Sequence, residues 1–189
     1  MIRKMTYSDI KEVVYLHKRE LTGFLSQLGI GFLEKYYEVS LKLPEVFTFV
    51  YSENGKIKGF ASNTTDSRGL QNKILLRSPI GFGYILLKYF ITHPFKFFKS
   101  FRLLRYPGLG ESGAELLSLA VERSSQKKGI GRMLLRESRA EFRKRRIDRF
   151  KISVYDRLPA NGFYIKCGSK LVRSFGFMGE KMNSYELKV

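Results

Sequence analysis

The stretch from Leu116 to Leu135 narrows the folds open to this chain more than any other. It begins with Leu116, Leu117, Leu119, Ala120 and Val121, a nearly continuous apolar run of the kind found in a strand covered on both faces. Ser124 and Ser125 end the run, and Gln126-Lys127-Lys128-Gly129-Ile130-Gly131 opens a helix. In that helix Ile130, Leu134, Ser138 and Phe142 repeat every four residues on one face, while Arg132, Arg136, Arg139 and Arg143 keep the opposite face charged. The stretch thus reads as an apolar strand, a polar loop with two glycines and an amphipathic helix.

The junction is also a candidate anion site. Gly129 and Gly131 carry no side chain, so a ligand can approach the main chain closely there. The first N–H groups of a helix lack internal partners, and the helix dipole favours negative charge beside them. Lys127, Lys128 and Arg132 add formal positive charge. Spacing alone also allows a plain strand-to-helix turn with solvated lysines.

Gln126-x-x-Gly129-x-Gly131, preceded by Leu-Ala-Val and followed by an amphipathic helix, resembles the acyl-CoA pyrophosphate loop of the GNAT superfamily of N-acetyltransferases. Downstream, Ala160-Asn161-Gly-Phe163-Tyr164-Ile-Lys166-Cys-Gly168 is similar to that family's Asn-x-x-Ala-x-x-Phe-Tyr-x-Lys-x-Gly-Phe block. Arg157 stands where the first Asn is usual and Ser169 where the final aromatic is usual. The resemblance implies acetyl-CoA as acyl donor, held by the loop Gln126, Lys127, Lys128, Gly129, Ile130, Gly131 and Arg132, by the main chain of Leu119, Ala120 and Val121, and by Asn161. It implies that Tyr164 stands near the thioester sulfur as general acid. It also implies that the first two helices and the loop between them border an acceptor pocket, making Phe24, Leu25, Tyr36 and Tyr37 substrate-binding candidates.

The remaining segments point to an α/β (α+β) fold. Ile2 to Met5 reads as a short strand, and Thr6 or Ser8 can cap a helix through Ile10, Val13, Val14 and His17. His17 reads as a packed or exposed histidine, with a substrate contact as the sharper alternative. Leu21 to Leu28 is a break, Gly31 begins a second helix, and Pro44 ends it. Asn54-Gly55 between Phe47–Tyr51 and Lys56–Ala61 is a strong hairpin signal. Phe150, Ile152 and Val154 alternate with Lys151 and Ser153, Pro159 suits the first turn of a short helix, and residues 170–175 and 184–188 read as closing strands. With the resemblance, the expected architecture is a central mixed, mostly antiparallel sheet flanked by helices, in one domain spanning 1–189.

Residues 67–110 contain no Asp or Glu and read as a basic, aromatic helical insert ahead of the central strand. Within it, the run 80–91 is too short to span a bilayer and carries Lys88. Aromatics interleaved with Lys96, Lys99, Arg102 and Arg105 continue to residue 106. The segment 80–106 reads as a packed lid with its basic heads in water, or as a surface for an anionic membrane or a partner. Nucleic acid is the least favoured partner.

Composition limits the chemistry. At 43% hydrophobic and 14% aromatic, with sixteen Phe and eleven Tyr, the chain can bury a real core. One cysteine, Cys167, cannot form an internal disulfide; it reads as a packing residue and fits a reducing compartment. His17, His93 and one thiol are too few for a metal site, so none is expected. No apolar run follows the first basic residues, so no signal peptide is indicated; a cytoplasmic protein, free or peripheral to a membrane, is expected. The net charge of +18 attracts polyanions, including phosphorylated small molecules.

Transfer from a thioester to an amine needs a base for the amine, donors for the developing oxyanion, and a proton for the leaving thiolate. Glu115 and Glu122 flank the apolar part of the central strand and are the candidate bases. Without an activated nucleophile, direct transfer is expected. The acceptor is expected to be the primary amine of a small molecule, an amino sugar suiting the positive field; the alternatives are a protein or peptide amine, or a non-catalytic basic module that binds CoA or another anion.

Overall fold

Asn54 and Gly55 have positive φ angles of 51° and 74°, the left-handed pair that lets a two-residue turn follow the twist of its strands. They join β2 (Val46–Glu53) to β3 (Lys56–Thr64), with β1 paired to β2 and β4 paired to β3. The computed structural model describes residues 1–92, 113–177 and 179–189, with the backbone alone for Phe24, Phe90 and Thr92. The other elements are β1 (Ile2–Lys4), α1 (Ile10–Glu20), α2 (Phe24–Gln27), α3 (Ile30–Ser40), α4 (Leu70–Arg77), α5 (Pro79–Thr92), β4 (Glu115–Val121), α6 (Ile130–Lys144), β5 (Arg149–Tyr155), α7 (Ala160–Lys166), β6 (Lys170–Phe177) and β7 (Glu180–Lys188).

The described strands form one seven-stranded sheet in the order β1-β2-β3-β4-β5-β7-β6. All neighbours are antiparallel except β4 and β5, which are parallel and pair only at Glu115↔Lys151 and Leu116↔Ile152. Beyond Leu116 the two strands part. On its other side β4 stays paired with β3, through Ser118↔Ser62 to Val121↔Gly59, with a register shift that leaves Leu117 unpaired. A bulge of one residue bends the strand that carries it, and it lies where the seam opens.

Side chains alternate across the sheet and feed two cores. Val50, Ile57, Phe60 and Ala120 face α1, α3, α4 and α5, whereas Phe49, Ala61, Leu116 and Val121 face α6 and α7. The predicted face of α6 is the buried one: Ile130, Leu134, Ser138 and Phe142 are at most 3% exposed. Phe142 stacks on Phe150 at 4.5 Å between ring centroids, and Ser138 accepts a 3.0 Å hydrogen bond from Asn63. Gly59 permits this approach, since a Cβ there would lie 3.1 Å from both the Ala120 carbonyl oxygen and Leu134.

Lys151 alternates with the apolar residues of β5 yet is only 4% exposed, because both faces of that strand are covered. The break at residues 21–28 contains one helical turn, α2. The run 80–91 lies within α5, which packs on α3, and α4 precedes it as a separate helix. The part of the expected helical insert from residue 93 to 110, His93 and Lys96, Lys99, Arg102 and Arg105 included, lies outside the described residues. Among the described residues no helix is long and apolar enough to cross a membrane.

Candidate active site

The parting of β4 and β5 opens a cavity of about 250 Å³. Its walls are Leu116–Leu119 of β4, Ile152–Tyr155 of β5, Tyr164 of α7, and, from the helical side, His17, Leu25, Tyr36 and Gln71. A larger hollow of about 340 Å³, between Lys4, Pro44, Phe47 and Arg145, lies away from the glycine loop and the parted strands. Its Lys4 and Arg145 are both tied to Glu141.

At one end of the cavity β4 gives way to a short 3-10 turn, Arg123–Ser125, and the glycine loop. Gln126 turns its amide back to donate to the Val121 carbonyl at 3.0 Å. Lys127 (φ 62°) and Gly129 (φ 82°) both take left-handed conformations. This winds the chain into the start of α6, whose first internal bond runs from Met133 N–H to the Gly129 carbonyl. Among the described residues the amides from Lys127 to Arg132 meet no protein acceptor. At Gly131 a Cβ would stand 3.4 Å from the Phe163 ring. An alanine fits there and a branched side chain does not. Lys127, Lys128 and Arg132 are exposed around this cradle. The residues therefore fit a diphosphate: open amides at a helix start, with three exposed cations on the same loop and first turn. Ala120 and Val121 bury their side chains in the two cores, so β4 can offer only its main chain, and Leu119 also lines the cavity.

Tyr164 is 6% exposed and lines the cavity, and its hydroxyl meets no hydrogen-bond partner among the described residues. Burial pushes its phenol above the ordinary value, so it keeps its proton at neutral pH. Glu115 sits one rung before the last pair, Leu116↔Ile152, after which the strands part. Ser153 donates to its Oε1 at 3.3 Å. The Lys151 ammonium lies 3.2 Å from Oε2, close enough for charge attraction but not aligned for a hydrogen bond, and that oxygen has no hydrogen-bond partner. Tyr36 shares the cavity, its phenol pushed up to about 12 by burial and then by the Glu115 carboxylate.

His17 also lines the cavity. Its Nδ1 lies 2.8 Å from the Tyr37 hydroxyl, and its ring stacks on Phe60 at 6.0 Å. Burial, with the Lys18 charge, lowers its pKa to about 4, so the ring is neutral at pH 7. Tyr37, expected as a pocket residue, does not reach the cavity; it is 1% exposed and its role is to fix the His17 ring. Leu25 lines the cavity, and the backbone of Phe24 begins α2.

Two expected roles are not matched by geometry. Glu122 lies outside the cavity, held by Lys58 at 2.5 Å and Arg19 at 3.1 Å, and the Lys58 hydrogen bond draws its carboxyl below the usual range. So placed, it holds the end of β4 against α1 and β3. Asn161 spends its whole amide on protein: Nδ2 donates to the carbonyls of Tyr155, Asp156 and Leu158, and Oδ1 accepts from Asn183 and the Tyr185 hydroxyl. It shapes the turn after β5 and has no free polar atom for a ligand. Arg157, at the position where the resembling block has its first Asn, is turned onto Glu180 and over the Tyr155 ring. Gln71, Ser118 and Ser153 were not singled out from sequence, since nothing local marks a polar residue as facing a seam between strands.

A sheet that parts over a cavity, with an anion cradle at the adjoining helix start, defines the acyl-CoA-dependent acyltransferase class of fold. The model of the acetyltransferase (GNAT) family matches residues 13–168, and the chain belongs to that family. It is accordingly an N-acetyltransferase, with acetyl-CoA as acyl donor and an amine as acceptor. Solved structures agree on the fold. A ribosomal-protein-alanine N-acetyltransferase from Brucella melitensis matches with a TM-score of 0.64 at 14% identity, over 100% of this chain and 99% of that one. An N-acetyltransferase from Staphylococcus aureus gives 0.63 at 17%, over 100% and 97%. A GNAT-family acetyltransferase from Streptococcus pneumoniae gives 0.62 at 15%, over 100% and 98%. Curated protein sequences gave no match.

Proposed function

We propose that this enzyme moves the acetyl group directly to the primary amine of a small molecule seated between Tyr36, Glu115 and His17. The observation that carries this reading is the Glu115 carboxylate, which lines the cavity where β4 and β5 are still paired, with the Lys151 ammonium 3.2 Å from Oε2 and Ser153 on Oε1. A carboxylate facing the cavity is the group there that can take a proton from an amine. Held by the loop 126–132, acetyl-CoA supplies an acetyl group activated as a thioester. The chain's own residues handle the protons. Glu115 takes one from the ammonium, leaving the nitrogen lone pair free to attack the thioester carbon, and neutral His17 lines the facing, helical side of the cavity. The Tyr164 hydroxyl gives a proton to the sulfur as the carbon–sulfur bond breaks, and the second proton shed by the nitrogen as the amide forms restores that hydroxyl. No cysteine lines the cavity, since Cys167 lies beyond it, which suits transfer without a covalent enzyme intermediate. A single cysteine also suits a cytoplasmic setting.

The cavity's small volume favours a small acceptor over a protein surface. An amino sugar carried on a nucleotide also suits the positive field, because its phosphates are drawn toward the lysines and arginines. Thiol release should be followed across a panel of amino sugars, sugar nucleotides, polyamines and short peptides. The expected outcome is turnover of a small amine, with Glu115→Gln lowering kcat by on the order of a hundredfold. Turnover of peptides alone would overturn the acceptor class, and full activity in Glu115→Gln would overturn the base.

A further inference from the structure

Helix α5 is apolar on both sides. Phe82, Ile85 and Tyr89 turn inward onto the core beside α3. On the opposite side Ile80, Tyr84, Leu87 and Ile91, spaced four, three and four residues apart, are 87%, 69%, 63% and 73% exposed. Single exposed apolar residues are ordinary, but a contiguous stripe along a helix is not. A helix apolar all round belongs inside a protein or against lipid. Only one side of this one is covered among the described residues.

Charge selects what covers the other side. Residues 67–110 contain no acid, Arg77 is exposed at the end of α4, and Lys88 borders the stripe. A second copy would press one body of charge +18 against another through a segment with no carboxylate to offset it. A nucleic acid would meet the cations but gain nothing from Ile80, Leu87 and Ile91. An anionic bilayer surface satisfies both properties at once. We propose that α5 seats the enzyme on a leaflet containing anionic lipid, lying in the plane of the interface with Ile80, Leu87 and Ile91 among the upper acyl carbons. Tyr84 and Lys88 then stand at the headgroup level. The helix has 14 residues. At 1.5 Å per residue that is roughly 21 Å, short of the roughly 30 Å hydrocarbon layer, so it lies on the membrane and does not cross it. Both α3 and α4 pack on α5 and line the acceptor cavity through Tyr36 and Gln71, so the seat is one helix away from the site.

The test is sedimentation of the full chain with vesicles of phosphatidylcholine alone, or of phosphatidylcholine mixed with phosphatidylglycerol. The wild type and the double variant Ile80→Ser, Leu87→Ser are compared, with acetyl-CoA thermal stabilisation showing that both are folded. Wild type should sediment with the anionic vesicles only, and the variant's partitioning should fall by roughly tenfold or more. The proposal is overturned if wild type ignores lipid charge or binds neither vesicle, or if the variant binds as wild type does. It is equally overturned if lipid-free wild type is a dimer that the variant dissolves, because a second copy then covers the stripe.

Discussion

Tyr164 and His17 show how burial sets what a single side chain can do. Among the described residues the Tyr164 hydroxyl has no protein hydrogen bond to lose, so Tyr164→Phe should leave stability and acetyl-CoA affinity near wild type. Its kcat should drop by on the order of a hundredfold. Calorimetric binding beside steady-state thiol release would separate the two effects, and an unchanged kcat would remove the tyrosine from proton transfer. His17 makes a pH prediction. Its ordinary value is 6.5 and its folded value about 4, so between these the unfolded chain binds more protons than the folded one. Stability is therefore complete above pH 6.5 and is lost as pH falls toward 4, by about 3 kcal/mol in all. Asp9, whose carboxyl is lowered to about 2 first by the Arg3 hydrogen bond, adds a later decline between 3.8 and about 2. Urea titrations from pH 7.5 to 4.5 should show the first slope in wild type and a flatter one in His17→Gln; equal slopes would mean that the ring is not buried neutral.

At the scale of elements, the loop into α6 carries a prediction of its own. Because a Cβ at Gly131 would clear Phe163 at 3.4 Å, Gly131→Ala should bind acetyl-CoA nearly as well as wild type. Gly131→Val should bind it about tenfold more weakly, since its branches press on Phe163 and shield the open amides. Equal affinity of the two in a binding isotherm would show that the loop's main chain is not the contact surface. This loop was legible in the sequence because its parts are adjacent: two glycines, three cations and a fourfold apolar repeat lie within a few turns. The Asn54-Gly55 hairpin and the buried face of α6 were legible for the same reason. On the acceptor side the sequence names Glu115 as a candidate base and Leu25 and Tyr36 as pocket candidates, whereas nothing in it marks Ser153 or Gln71. Glu115, Ser153, Gln71 and His17 come from four elements and meet only because β4 and β5 part, which no local pattern records. Lys151 alternates with apolar residues as a solvated lysine would, and only the cover on both faces of β5 makes it a buried partner of Glu115. Asn161 was read for its place in a motif, whereas the neighbouring carbonyls that occupy it come from a turn whose shape is a tertiary matter.

The whole molecule acts through its field. A net charge of +18 concentrates anionic ligands at the cradle and is screened by salt. The KM for acetyl-CoA should therefore rise with potassium chloride while kcat changes little, and a KM indifferent to salt would confine the attraction to short-range hydrogen bonds. The seam between β4 and β5 has a further consequence. Past Leu116 the central strand has a bare flank of peptide groups, the kind of margin that proteins usually guard against gluing to another chain. Here that margin is sunk in the interior, walled by β5, α7 and the turn after β5. The enzyme can thus keep a sticky edge at its centre without risking fibrils, because only something as slender as a single unbranched filament can thread in beside it.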